Sequence, residues 1–245
     1  MSMPARNAPC HCGSGKKYKL CCGGNGASLA QVEPRALLNA ALARYHQGDL
    51  EGAGVACRQI VDRHPGMDQA LHLLAAIAYD QRDYAAAAAL ASEAIERGGA
   101  SPDYFNTLGN ALLGLKAFED AVTAFQEALR GRPAFVEARN NLANALAALG
   151  RHAEAIPHFQ RALLLAPRNA LVHANLSFSL YALGRYRDTV ASCQEALRLN
   201  PQLAEVFCTL GDAYNALMHN EEAGAALSQA VHLLPGFAHA YNSWG

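Results

Sequence analysis

The sequence predicts an all-α solenoid of stacked helical hairpins, and three observations carry that prediction. From Pro34 onward the chain repeats every 34 residues without an insertion, in six units that begin at Pro34, Asp68, Pro102, Val136, Ala170 and Ala204. Alanine, the best helix former and a poor strand former, supplies much of a composition that is 51% hydrophobic but only 7% aromatic. Glycines and prolines recur at fixed offsets within the units, where they end helices. One hairpin cannot bury its apolar face alone, so units of this period stack on their neighbours to make a continuous core.

In chain order, residues 1–23 come first and stand apart from the repeats. They hold Arg6, Lys16, Lys17 and Lys19 and no acidic residue, although the whole chain has a formal net charge of -1. Four of the seven cysteines crowd between positions 10 and 22. Cys10 and Cys12 flank one residue, and eight residues later Cys21 and Cys22 are adjacent. In a reducing compartment such crowding points to metal rather than disulfide. Four thiolates on two short elements are able to converge tetrahedrally on Zn2+, at about 2.3 Å each. Gly13 and Gly15 allow the tight turn between the pairs, and Ser14 supplies a loop hydrogen bond. A segment this short has no hydrophobic core, so zinc would supply its folding free energy. GSGKK is not a phosphate-binding P-loop, because Cys10 and Lys17 stand where a glycine and a Ser or Thr are required. Two readings of Lys16, Lys17 and Lys19 stand: contact with ribosomal RNA or another nucleic acid, or solvation of a very small domain. Residues 24–33 read as a flexible linker.

The repeats follow over residues 34–237. In the fourth unit a first helix is predicted to run to about Leu149 and a second from about Ala153 to Leu165. Gly48, Gly150 and Gly184 suit the left-handed residue that ends a first helix. Pro65, Pro133, Pro167, Pro201 and Pro235 stop second helices. Leu74, Leu108, Leu142, Leu176 and Leu210 mark the core, and the small residues after them, Ala75, Gly109, Ala143, Ser177 and Gly211, let the paired helices approach. Tyr84, Phe118 and Tyr186 fill the space near the turns. Departures are local: Gly98 and Gly99 replace the proline of the second unit, Thr189 replaces an alanine, and Arg44 takes an apolar site. Pro157 lies inside a predicted helix, where it should kink the helix or cost about 3 kcal/mol. The run Ala85–Ala89 reads as tight packing. Residues 238–245 begin a seventh unit in register, with Trp244 at the leucine position and Gly245 at the small one. Half a hairpin leaves an apolar edge, so the expectation is a longer chain or self-association through that edge.

Period, small residues, aromatics and prolines together resemble the tetratricopeptide repeat family over residues 34–237. That resemblance implies a right-handed superhelix of antiparallel helix pairs. Residues 7–23 resemble the SEC-C motif, a small zinc-binding module, which implies Cys10, Cys12, Cys21 and Cys22 as the ligands; His11, where the family commonly has proline, reads as solvent-facing. The phrases NNLANAL and ANLSFSLYALGR are similar to repeats fused to bacterial sulfotransferases and O-linked N-acetylglucosamine transferases.

No nucleophile and base recur at motif spacing, and the ten histidines form no HExxH pattern, so no catalytic residue is assigned. Cys57 and Cys193 share an inward position of second helices, while Cys208 lies nearer a groove-facing one. MSMPARNAPC lacks the apolar core of a signal peptide, and no stretch approaches the roughly 20 apolar residues of a membrane span. A cytoplasmic protein without a membrane partner is therefore expected.

The functional expectation is a scaffold that binds a protein or extended peptide on a concave face lined by first helices. At 100° per residue, the positions one before and two after each core leucine face that side. They hold Asn39, Thr107, Asn141, Asn175 and Thr209, with Asn110, Asn144 and Asp212 beside them. Amides offer donors and an acceptor, so a ladder of them would hold a peptide backbone whatever its side chains; the glycosyltransferase repeats use such a ladder. Tyr45, Tyr79, Phe178 and Tyr181 add apolar contacts. The competing reading has these asparagines solvating the helix or bonding to neighbouring repeats. Two further roles fit the resemblances: the recognition region of a larger transferase, and an export or chaperone adaptor.

Overall fold

A computed structural model describes residues 34–235. The zinc-ligand set Cys10, Cys12, Cys21 and Cys22, the lysines beside it, the linker and the start of a seventh unit lie outside the described residues. Among the described residues there are twelve α-helices and no strand. The first helices of the six repeats are α1 (Pro34–His46), α3 (Asp68–Asp80), α5 (Pro102–Gly114), α7 (Val136–Ala148), α9 (Ala170–Ala182) and α11 (Ala204–Ala216). The second helices are α2 (Leu50–Arg63), α4 (Tyr84–Gly98), α6 (Phe118–Gly131), α8 (His152–Leu165), α10 (Tyr186–Leu199) and α12 (Asn220–Leu233). Every helix starts 34 residues after its counterpart in the preceding repeat.

The turn inside each hairpin has one geometry. Gly48, Gly150 and Gly184 adopt φ of 81°, 75° and 71°, and Arg82, Lys116 and Met218, in the same register, adopt 62°, 61° and 62°. In all six repeats the next residue returns its N–H to the carbonyl five residues back, as in Asp49 to Arg44 at 3.0 Å and Arg151 to Leu146 at 2.9 Å. This is the Schellman closure, which satisfies a carbonyl that the helix end would leave orphaned. Asp49 and Asp83 then cap α2 and α4 by accepting from Gly52 and Ala86. The prolines fall two residues beyond α2, α6, α8, α10 and α12. Without one, α4 runs to Gly98, one residue longer than the other second helices, and ends on Gly99 at φ 85°.

The paired helices meet through a seam of fitted sizes. A Cβ on Gly109 would run into the Phe125 ring, and one on Gly211 into Leu227. Ala143 and Phe159 hold the same places in the fourth repeat, and both are fully buried. Thr189, which replaces an alanine, is also fully buried; its hydroxyl donates to the Arg185 carbonyl at 3.1 Å, so the departure leaves no unpaired polar group. Pro157 does not break its helix. α8 keeps the 14-residue length of α6 and α10, and Pro157 sits on its exposed side. Tyr84 packs over Gly114 of the next repeat, where a larger residue would clash with its ring.

Each helix packs against the next in sequence, and each first helix also touches the first helix of the following repeat. Second helices make no such contact with one another. The array therefore closes on the side of the first helices and opens on the other, which sets the first helices along a concave face. Among the described residues no helix is long and apolar enough to cross a membrane.

Candidate functional site

The concave face of repeats 3 to 5 carries a connected set of amides. Asn141 on α7 donates to Asn110 on α5 at 2.9 Å. Asn140 donates to Asn141 at 3.2 Å, and Asn175 on α9 donates to Asn140 at 3.1 Å. Asn106, only 6% exposed, donates to the Glu137 carboxylate at 3.0 Å. These amides therefore staple three repeats together before any ligand arrives. They are not exhausted by doing so. A primary amide has two N–H donors and a carbonyl with two lone pairs; Asn141 uses one donor and one acceptor in these bonds.

Around them lies a cleft of about 760 Å³ lined by Tyr79, Leu113, Glu137, Asn144, Asn169 and Leu171 together with Asn110, Asn140 and Asn141. A second cleft of about 390 Å³ continues the same face through Leu171, Asn175, Phe178, Glu205 and the end of α12. Tyr79 and Tyr181 are each 37% exposed and sit three repeats apart, leaning on Tyr84 at 5.5 Å and Tyr186 at 5.6 Å between ring centroids. Burial, followed by neighbouring negative groups, raises the pKa of both phenols, which keeps them neutral donors. Asp212 lies close enough to Tyr181 to add to that shift.

Toward repeats 1 and 2 the face changes character. Tyr45 donates to Asp80 at 2.6 Å, and burial with that bond pushes its phenol up to about 12. His72 pairs with Thr107 at 2.8 Å and packs on the Tyr104 ring, whose hydroxyl donates to Asp68. Burial holds the His72 pKa below its ordinary value. Asn39 is exposed on α1, away from the amide set. Thr209, at the other end, is 8% exposed and donates to the Glu205 carbonyl of its own helix, so it turns away from the cleft.

Sequence reasoning missed Asn140, Glu137 and Asn169. The signal for the first two was present. At 100° per residue, positions five before, two before and two after a core leucine fall within about 60° of one another, so the rule that selects Asn144 also selects Asn140 and Glu137. Asn169 precedes α9 and caps it, accepting from Val172 at 3.2 Å; no helical rule reaches it. The three cysteines among the described residues, Cys57, Cys193 and Cys208, are all buried. Cys208, nearest the groove by sequence, is 2% exposed, and burial followed by Asp212 and Glu205 pushes its thiol up to about 11. Cys57 and Cys193 are fully buried, and burial pushes both up to about 11. Among the described residues no group of three or more His, Cys, Asp or Glu side chains is placed to hold a metal.

Known proteins place this geometry in context. Models of the tetratricopeptide repeat match residues 35–66, 56–105 and 106–170, more than half of the chain, and the SEC-C motif model matches residues 6–24. No curated protein matches the chain. Among solved structures, PilF of Pseudomonas aeruginosa superposes with a TM-score of 0.76 at 19% identity, over 85% of this chain and 95% of that one. YrrB, a tetratricopeptide repeat protein described as having an unusual peptide-binding site, superposes at 0.64 with 19% identity over 77% of this chain and 97% of its own. A tetratricopeptide repeat protein of Thermus thermophilus gives 0.58 at 21% identity, over 72% and 96%. At these identities the likeness is one of fold.

Proposed function

The chain belongs to the tetratricopeptide repeat family, and from that premise we propose that it is a protein-binding scaffold whose concave groove takes an extended peptide segment of its partner. The observation that carries this reading is the amide set of Asn110, Asn140 and Asn141, which lines a 760 Å³ cleft, joined by Asn175 in the adjoining one, with donors and acceptors to spare. An extended backbone offers alternating N–H and C=O groups that such amides match without reading side chains. Tyr79, Leu113, Phe178 and Tyr181 supply apolar contact on either side. The peptide-binding site in the description of YrrB supports the same use of the fold. The test is affinity for a partner recovered by pull-down. In an Asn141→Ala, Asn175→Ala variant it should weaken at least tenfold, and unaltered affinity would leave the amides as inter-repeat staples only.

A separate reading concerns the amino terminus, where Cys10, Cys12, Cys21 and Cys22 would hold one Zn2+ as thiolates. Its support is the SEC-C match over residues 6–24 and the donor chemistry, four sulfurs suited to a closed structural site. Elemental analysis of freshly purified, reduced protein should find one zinc per chain, lost in the Cys21→Ser, Cys22→Ser variant. Protein free of zinc at purification retires this reading without touching the groove.

A further inference from the structure

We propose that the groove selects a segment bearing two basic side chains five or six residues apart with an apolar side chain between them, an inference that rests on the peptide-groove reading above. Glu137 and Glu205 occupy the same place in the first turns of α7 and α11, two repeats apart, and Leu171 occupies that place in α9 between them. Glu137 lines the larger cleft, Glu205 the smaller, and Leu171, 61% exposed, lines both. Among the described residues no lysine, arginine or histidine lines either cleft.

Acidic residues in a first turn suit the helix dipole, so residue type alone assigns nothing. The contrast with the preceding repeat does. Asp103 holds the equivalent place in α5, and there Arg132 neutralises it with two parallel hydrogen bonds of 3.0 and 2.7 Å. Among the described residues neither Glu137 nor Glu205 joins an ion pair. The nearly buried Asn106 amide holds one oxygen of Glu137 and so orients the carboxylate, leaving the other oxygen for a ligand.

Spacing follows from packing. α7, α9 and α11 lie side by side, and packed helices are about 8–10 Å apart. The two carboxylates are then on the order of 16–20 Å apart, which an extended chain rising about 3.3 Å per residue covers in five or six residues. Leu171 falls near the midpoint, where it would meet an apolar side chain.

Panning the full chain against a library of end-blocked random dodecapeptides tests this. Recovered sequences should carry Lys or Arg at two positions with four or five residues between them, an apolar residue midway, and few acids. Glu137→Gln and Glu205→Gln should each erase one of the two preferences, a change of up to about fivefold in affinity for an exposed pair, and raised salt should do the same. Recovered peptides without basic enrichment, or enrichment that survives the double Gln variant, overturn the proposal while leaving the groove reading intact. Basic peptides that still bind the Asn141→Ala, Asn175→Ala variant retire the amide reading while leaving charge selection. Recovery of no peptide overturns both.

Discussion

The seam inside each hairpin and the groove along the first helices obey the same 34-residue period but treat it differently. Along the seam, Ala41, Ala75, Gly109, Ala143, Ser177 and Gly211 stay small, and every one is buried. They face Cys57, Ala91, Phe125, Phe159, Cys193 and Leu227, where size varies but burial does not. Two positions before these small residues, in the groove register, the series reads Asn39, Leu73, Thr107, Asn141, Asn175 and Thr209, with exposure changing from repeat to repeat. Close packing tolerates no change of volume that its neighbour does not match, whereas a solvated face tolerates many side chains. Constant burial along the period thus reports the fold, and changing exposure along it reports the site.

Truncating the seam should give the largest effect. Phe159 is fully buried in the cluster that joins repeats 3 to 5, and Phe159→Ala should cost about 3–5 kcal/mol by denaturant unfolding. A loss below about 1 kcal/mol would mean that the seam collapses freely and that the contrast with the groove is false. Filling the seam comes next. Gly109→Ala puts a methyl group against the Phe125 ring, and overpacking of this kind costs about 1–3 kcal/mol. Phe125→Leu in the same chain should recover part of that cost, because the two sites share one volume; strict additivity of the two changes would sink the fitted-size argument.

A smaller change, of opposite sign, is expected at the turns. Met218 holds φ at 62° with its side chain 82% exposed, so Met218→Gly should relieve a left-handed conformation while losing little packing. The gain is about 1 kcal/mol, reduced by the extra entropy of glycine in the unfolded chain. A rise in melting temperature checks it; Gly150→Ala, at the same place in repeat 4, should lower the melting temperature.

These same positions show what the sequence makes legible. Glycine announces the left-handed turn at Gly48, Gly150 and Gly184, but Arg82, Lys116 and Met218 adopt it through register alone, since the Schellman closure and the packed hairpin impose it. Helix starts were readable to within a residue or so because glycine and proline are local causes. Pro157 does not break its helix: α8, held by packing on its other side, runs its full 14 residues across the missing bond. In the groove, Asn110, Asn141 and Asn175 were placed on the concave side by helical phase, yet the bonds of Asn141 to Asn110 and of Asn175 to Asn140 join residues 31 and 35 apart, a relation that depends on how repeats stack. The neutralisation of Asp103 by Arg132 and the exposure of Glu137 were not legible, because both depend on where the next repeat sits.

The smallest effect on stability belongs to the groove, and there the two regions separate most clearly. Asn141→Ala and Asn175→Ala each remove an inter-repeat hydrogen bond between partly buried amides, worth about 0.5–1.5 kcal/mol where water cannot substitute and less on a face open to solvent. Each change also replaces a poor helix former with the best one inside a helix, a gain of up to about 0.7 kcal/mol per site. The two contributions nearly cancel, so the double variant should unfold within about 1 kcal/mol of the parent while binding is lost. Denaturant titration beside the binding measurement decides between staple and site. A loss approaching that of Phe159→Ala would make the amides part of the structural seam, and a neutral change in stability with weakened binding would leave them as surface kept for a partner.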